Sequence, residues 1–214
     1  LIVLGLIIIA AALAEIIAIE AENHFDISRA SLPPFSEGHI LGTDDIGRDV
    51  WSRIVRGARI SLRIGVSAVA IGAVFGSSIG LTAGYFGGWI DMVISRVLDV
   101  MLAFPGLLLA LTVIAAIGPG LTNAMIALGI AGIPAYARVV RGTTLAAREL
   151  GYVRAARSIG MPDYRVMVRH IFPNIVSPIL IMGTMGLGGS ILAAAGLSFL
   201  GLGASAPSPE WGPE

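Results

Sequence analysis

The sequence predicts an all-α, polytopic membrane protein, and three observations carry that reading. Of 214 residues, 56% are hydrophobic and 13% charged, whereas a soluble domain sits near 25% charged. The stretches 1–19, 64–85, 98–117, 121–140 and 175–197 are apolar and long enough to cross about 30 Å of hydrocarbon at 1.5 Å per residue. Glycine stands at 28 positions, as expected where helices approach closely in lipid.

The first span, 1–19, opens at Leu1 inside an apolar run and is interrupted by Glu15. A chain that starts without methionine and stops soon after Trp211 reads as a fragment, or as a chain whose ends lie elsewhere. The run is too long for a signal-peptide core. Residues 20–63 are polar, with Pro33-Pro34 and the acidic "GTDDIGRDV", so they cannot lie in lipid. Within them Asp44 or Asp49 is expected to cap the helix that leads through Trp51. The second span, 64–85, carries Gly72, Gly76, Gly80 and Gly84 at four-residue spacing. That spacing lines one helix face and predicts close packing on another helix.

Spans three and four, 98–117 and 121–140, are joined by the turn "GPGLTN" and contain Pro105 and Pro134, which are expected to kink them. Asp91, Arg96 and Asp99 lie ahead of or within the start of span three, where they are expected to anchor a helix end. Residues 141–174 are polar and hold six arginines, and span five, 175–197, precedes a Gly-, Pro- and Ser-rich tail, 198–214. The arginine density places 141–174 in the cytoplasm. Alternation then puts 20–63 and 198–214 outside. The loop reads as one helix through "TLAARELGYVRAARSI", a glycine turn at Gly160, and a second helix opened by Pro162 and stopped near Pro173. Val153, Ala156 and Ile159 recur three apart and predict an apolar tip with a basic collar that includes Arg157 and Arg165.

This loop resembles the cytoplasmic signature of ABC importer permeases, in which a Glu-Ala-Ala triplet precedes a glycine and, thirteen residues later, a proline. Ala155, Ala156, Gly160 and Pro173 stand at those spacings. Arg154 replaces the glutamate, and His170 replaces a hydrophobic residue ahead of the proline. "LGTDDIGRDVWSRIVRGARISLRIG", "AGYFGGWID", "RVLDVMLAFPGLLLAL" and "GLSFLGLGASAPSPEWG" are similar to the peptide and nickel branch, so the likeness runs from about residue 38 to residue 212. It implies a type I importer transmembrane domain with a sixth span beyond the last residue. It further implies a second permease subunit, two cytoplasmic ATPase subunits that bind the ATP, and an extracytoplasmic solute-binding protein. Residues 152–160 would then be the coupling helix, with Arg154, Ala155, Ala156, Arg157, Ile159, Gly160 and Pro173 as the ATPase-coupling set. The expected setting is a prokaryotic inner membrane.

Several function classes are disfavoured. No phosphate-binding "GxxxxGK[ST]" is present, so the chain itself is not expected to be an enzyme. Cysteine is absent, and His24, His39 and His170 are scattered, so no metal and no cofactor is expected. A net charge of zero argues against nucleic acid. A di- or oligopeptide importer is the leading reading and a nickel-type importer its neighbour. An ion-coupled secondary transporter would want mid-membrane carboxylates and inverted repeats.

Overall fold

The computed structural model describes residues 13–14, 26–36 and 38–203. Among them the chain is helical, with only two isolated bridges, Ser36 to His39 and Thr43 to Asp49, outside the helices and turns. A short 3-10 turn, Ile27–Arg29, is followed by α1 (Val50–Phe86), α2 (Gly88–Ala103), α3 (Gly106–Ile117) and α4 (Leu121–Ala147). Then come α5 (Gly151–Ser158), the single turn α6 (Asp163–Val166), a π-helical turn at Met167–Ile171, and α7 (Phe172–Phe199). Of the first expected span, only Leu13 and Ala14 fall within the described residues; the tail from 204 onward lies outside them.

Residues 26–36 and 38–49 form a small lobe knitted by side-chain caps. The Asp44 carboxylate accepts from the amides of Ile46 and Arg48 and from the Arg48 side chain. Burial pushes this carboxyl up, but those hydrogen bonds outweigh it and hold Asp44 below the usual carboxylate range. Asp49 is the cap of α1: its Oδ2 accepts from the Ser52 amide at 2.8 Å, and its Oδ1 lies 3.0 Å from His39 Nδ1 in a fully buried pair. Such a cap contributes about 1 kcal/mol. It also sets where α1 begins, fourteen residues before the apolar run at 64. At 37 residues this helix is about 55 Å long, so its arginine-rich start projects beyond the hydrocarbon.

The bundle is organised by α1 lying parallel against α4. A Cβ added at Gly76 would sit 2.7 Å from the Ile133 carbonyl oxygen, one at Gly80 2.4 Å from that of Ala137, and one at Gly84 2.8 Å from that of Arg141. Both helices therefore advance by four residues together over two turns. Gly72 abuts the Tyr136 ring, and Gly129 of α4 returns the contact against Ile71. Antiparallel to this pair runs α7, with Ile191 against Gly65 and Gly183 and Gly186 near Val69. Ala110 and Ile114 of α3, Ala124 and Ala127 of α4 and Leu197 of α7 close the end of the bundle away from α5.

Pro105 does more than kink the third span. Phe104 is extended, α2 and α3 meet at 96°, and α3 packs along α4. The expected kink in span 98–117 is thus a right-angled elbow between two helices, because a proline lacks the amide for the helix ladder and keeps its predecessor extended. Three segments among the described residues are long and apolar enough to cross a bilayer: Val50–Phe86, Leu121–Ala147 and Asp163–Phe199. The bent pair makes a fourth if counted as one span. By contrast, α4 runs through Pro134 without a break.

The second loop helix also departs from expectation, since it does not stop at Pro173. The segment from Asp163 continues into α7 through the π-helical turn, where the Phe172 amide reaches back to the Met167 carbonyl. That wider turn comes directly before Pro173 and takes up the carbonyl clash a proline brings to a regular helix. At the other end, α4 stops at Ala147 and a turn at 148–150 precedes α5, so "TLAARELGYVRAARSI" is two helices rather than one.

The α1–α4 contact makes a prediction. Gly80→Ala should lower the thermal unfolding temperature of the purified chain in detergent by several degrees, on the scale of about 1–3 kcal/mol for overpacking. Gly188→Ala on α7, where an added Cβ meets nothing within 4 Å, should leave it unchanged. Equal effects at the two sites would contradict the packing described.

Candidate functional site

The segment 151–160 is short and would be marginal as an isolated helix. It is held by its inward face. Val153 and Ala156 are buried together with Tyr85 of α1, Val140 and Ala147 of α4, Val166 of α6, Ile171 of the π-helical turn and Ile175 of α7. This corrects the apolar tip expected from Val153, Ala156 and Ile159. Two of the three face the protein's own core, and only Ile159, 79% exposed, points outward. The split arises because Ile159 is the residue after the helix, with φ −84° and ψ 10°, and no longer follows the helical stripe.

The end of α5 is a glycine-capped stop. Gly160, at φ +78°, donates to the Arg157 carbonyl at 3.0 Å, and Met161 donates to the Ala156 carbonyl at 3.2 Å. This is the paired Schellman pattern, and the Met161 side chain completes it by packing on the same cluster as Ala156. An added Cβ at Gly160 would meet nothing within 4 Å, so glycine is required there by backbone conformation and not by space. The chain re-enters a helix at Pro162, which stands at the cap position just before α6.

The outward face consists of Arg154, Ala155, Arg157, Ser158, Ile159 and Gly160, all exposed, while Ala156 is buried. Pro173 is exposed but stands at the start of α7, beyond the π-helical turn. The expected coupling set is thereby divided into an outer surface on α5, an inner anchor at Ala156, and Pro173 in the neighbouring helix. Gly72, Gly76, Gly80 and Gly84 are not in the loop, but their stripe ends one residue before Tyr85, against the same α4 segment.

Polar contacts missed in the sequence fix the loop. The Arg148 side chain, between α4 and α5, donates to the Gly84 carbonyl at 3.0 Å. Tyr152 accepts from the Asn174 amide at 2.8 Å, and the same amide group donates to the His170 carbonyl at 2.7 Å. The Tyr85 hydroxyl donates to Asp163. Asp91 of α2 is held by Arg141 of α4 through two hydrogen bonds, and Asp99 by Arg138 at 2.7 Å. These acids therefore fasten α2 across α4. Tyr85 stands in the "AGYFGGWID" stretch, but neither it nor Asn174 belongs to a periodic or charged pattern that would point to these contacts. Among the described residues no group of three or more His, Asp or Glu side chains is placed to hold a metal.

Residues 76–213 match the family described as binding-protein-dependent transport system inner membrane component. The chain is 50% identical over 193 residues to a glutathione transport system permease protein of Pectobacterium atrosepticum, covering 90% of this chain and 64% of that protein. It is 51% identical over 177 residues to a dipeptide transport system permease protein of Alkalihalophilus pseudofirmus, covering 83% of this chain and 58% of that protein. A glutathione transport system permease protein of Shigella dysenteriae is 50% identical over 208 residues, 97% of this chain and 68% of its own length. The chain thus spans about three-fifths to two-thirds of the relatives it matches. It belongs to the family of binding-protein-dependent transport system inner membrane components.

Proposed function

We propose that this chain is the membrane-spanning part of a permease subunit in an ATP-driven importer that moves di- or oligopeptides into the cytoplasm. It is not itself an enzyme. Two partner ATPase subunits bind and hydrolyse the ATP, a second permease subunit completes the path, and an extracytoplasmic protein delivers the solute. The membrane is the inner membrane of a prokaryote. Relatives named for glutathione and dipeptide transport support a peptide-like solute over nickel.

One observation carries the reading. A short helix exposes arginines on one side and is followed by an exposed isoleucine, while its other side is buried in a core shared by α1, α4 and α7. An ATPase groove that takes Ile159 gains its affinity from apolar burial, and Arg154 and Arg157 give orientation. Because Val153 and Ala156 are close-packed with the ends of the long helices, a push on α5 is not absorbed by the loop. It is delivered to those helices, and their tilt changes which side of the path is open.

Two results test this. Ile159→Glu should weaken binding of the ATPase subunits to the permease by roughly 30-fold or more, the scale of an interface hot spot, while Ile159→Met retains it. Unchanged affinity for the glutamate variant, measured in detergent or nanodiscs, would remove this surface as the docking site. Gly160→Ala should cost about 1–2 kcal/mol in backbone strain and reduce ATP-driven uptake in proteoliposomes without unfolding the bundle. Full uptake would show that the glycine stop does not matter for coupling.

A further inference from the structure

The last turn of α1 receives three polar or aromatic contacts from the loop that carries α5. Arg148 donates to the Gly84 carbonyl, Asp163 accepts from the Tyr85 hydroxyl at 2.5 Å, and the Arg157 guanidinium carbon lies 5.4 Å from the centre of the Tyr85 ring. Tyr85 is 4% exposed and belongs to the core that contains Val153 and Ala156. Its ring is also fixed edge-on by Phe86, with centroids 5.1 Å apart at 87°. One side chain of α1 thus touches the helix before Gly160, through Arg157, and the helix after it, through Asp163.

We propose that Tyr85 is the positioning residue that ties the coupling segment to α1 and transmits its displacement. This rests on the importer reading given above and adds a route within it. The hydroxyl bond is directional and ends on a charged acceptor, which makes it stronger and stiffer than a neutral contact. Packing alone would let α5 and α6 rock on the smooth apolar cluster. The hydroxyl bond and the stacked guanidinium stop that rocking from two sides. From Tyr85 the displacement enters a helix whose glycine face is locked to α4, so α1 and α4 respond together.

The route predicts a coupling defect without an assembly defect. Tyr85→Phe keeps the ring under Arg157 and removes only the bond to Asp163, and Asp163→Asn removes the charge from the acceptor. In the full importer reconstituted in liposomes, each should lower solute uptake per ATP hydrolysed by about tenfold, the scale of one lost hydrogen bond to a charged group. The ATPase subunits should still co-purify. The double variant should be no worse than Tyr85→Phe alone, because both changes act on the same bond and the phenylalanine has already removed it. An unchanged ratio of uptake to hydrolysis for Tyr85→Phe overturns the proposal, as does loss of ATPase binding, which would make Tyr85 part of docking. Strictly additive losses also overturn it. If uptake by the unaltered importer does not depend on ATP, the importer reading itself has failed, which is a separate outcome.

Discussion

Four glycines on one face of α1 bring its backbone against α4 so closely that a Cβ at Gly80 would lie 2.4 Å from a main-chain oxygen. In lipid there is no hydrophobic drive to hold two apolar helices together, and dispersion and weak hydrogen bonds must serve instead. Those forces fall off within fractions of an ångström. The glycine stripe is therefore what permits a stable α1–α4 pair, and the pair is what α2, α3 and α7 pack on. With the two helices parallel and in register, a displacement at their shared end is carried along both.

That shared end lies beside α5. The core around Val153 and Ala156 draws one or more residues from α1, α4, α5, α6 and α7, so five elements meet at one place. A short helix that could not persist alone is thus made rigid by its surroundings. The cost of a glycine in helical sequence is offset at Gly160, where the left-handed turn lets the chain reverse and send Asp163 back to Tyr85. Arg141 and Arg138 hold α2 across the outside of α4 through Asp91 and Asp99, which keeps the elbow at Pro105 from straightening.

Much of this was legible in residue patterns, and the limits have physical causes. Hydropathy marked the second, fourth and fifth spans because length and apolarity are local properties. The glycine stripe was legible because four-residue spacing fixes a face, and the cap of α1 only as far as Asp44 or Asp49, because both aspartates precede the helical run and the choice depends on the fold of the lobe around them. Pro105 and Pro173 were both visible, but their outcomes were not. One opens a right-angled elbow and the other is absorbed by a π-helical turn, and that choice depends on what each flanking helix packs against. The stripe of Val153, Ala156 and Ile159 had the right period, yet Ile159 falls outside the helix and turns outward. Tyr85 and Asp163 are 78 residues apart, and no local pattern reports such a pair.

The central claim is that α5 and the long helices move as one body when a motor grips the outer face of α5. Residues 1–214 hold no cysteine, so within them Ser158→Cys on α5 and Val74→Cys on α1, both at exposed positions, give the two spin-label sites. In the assembled importer, the 158–74 distance should have the same mean and width with and without ATP, while the distance between the two permease subunits changes. A 158–74 distance that shifts with ATP would show α5 sliding on its core and would contradict the account.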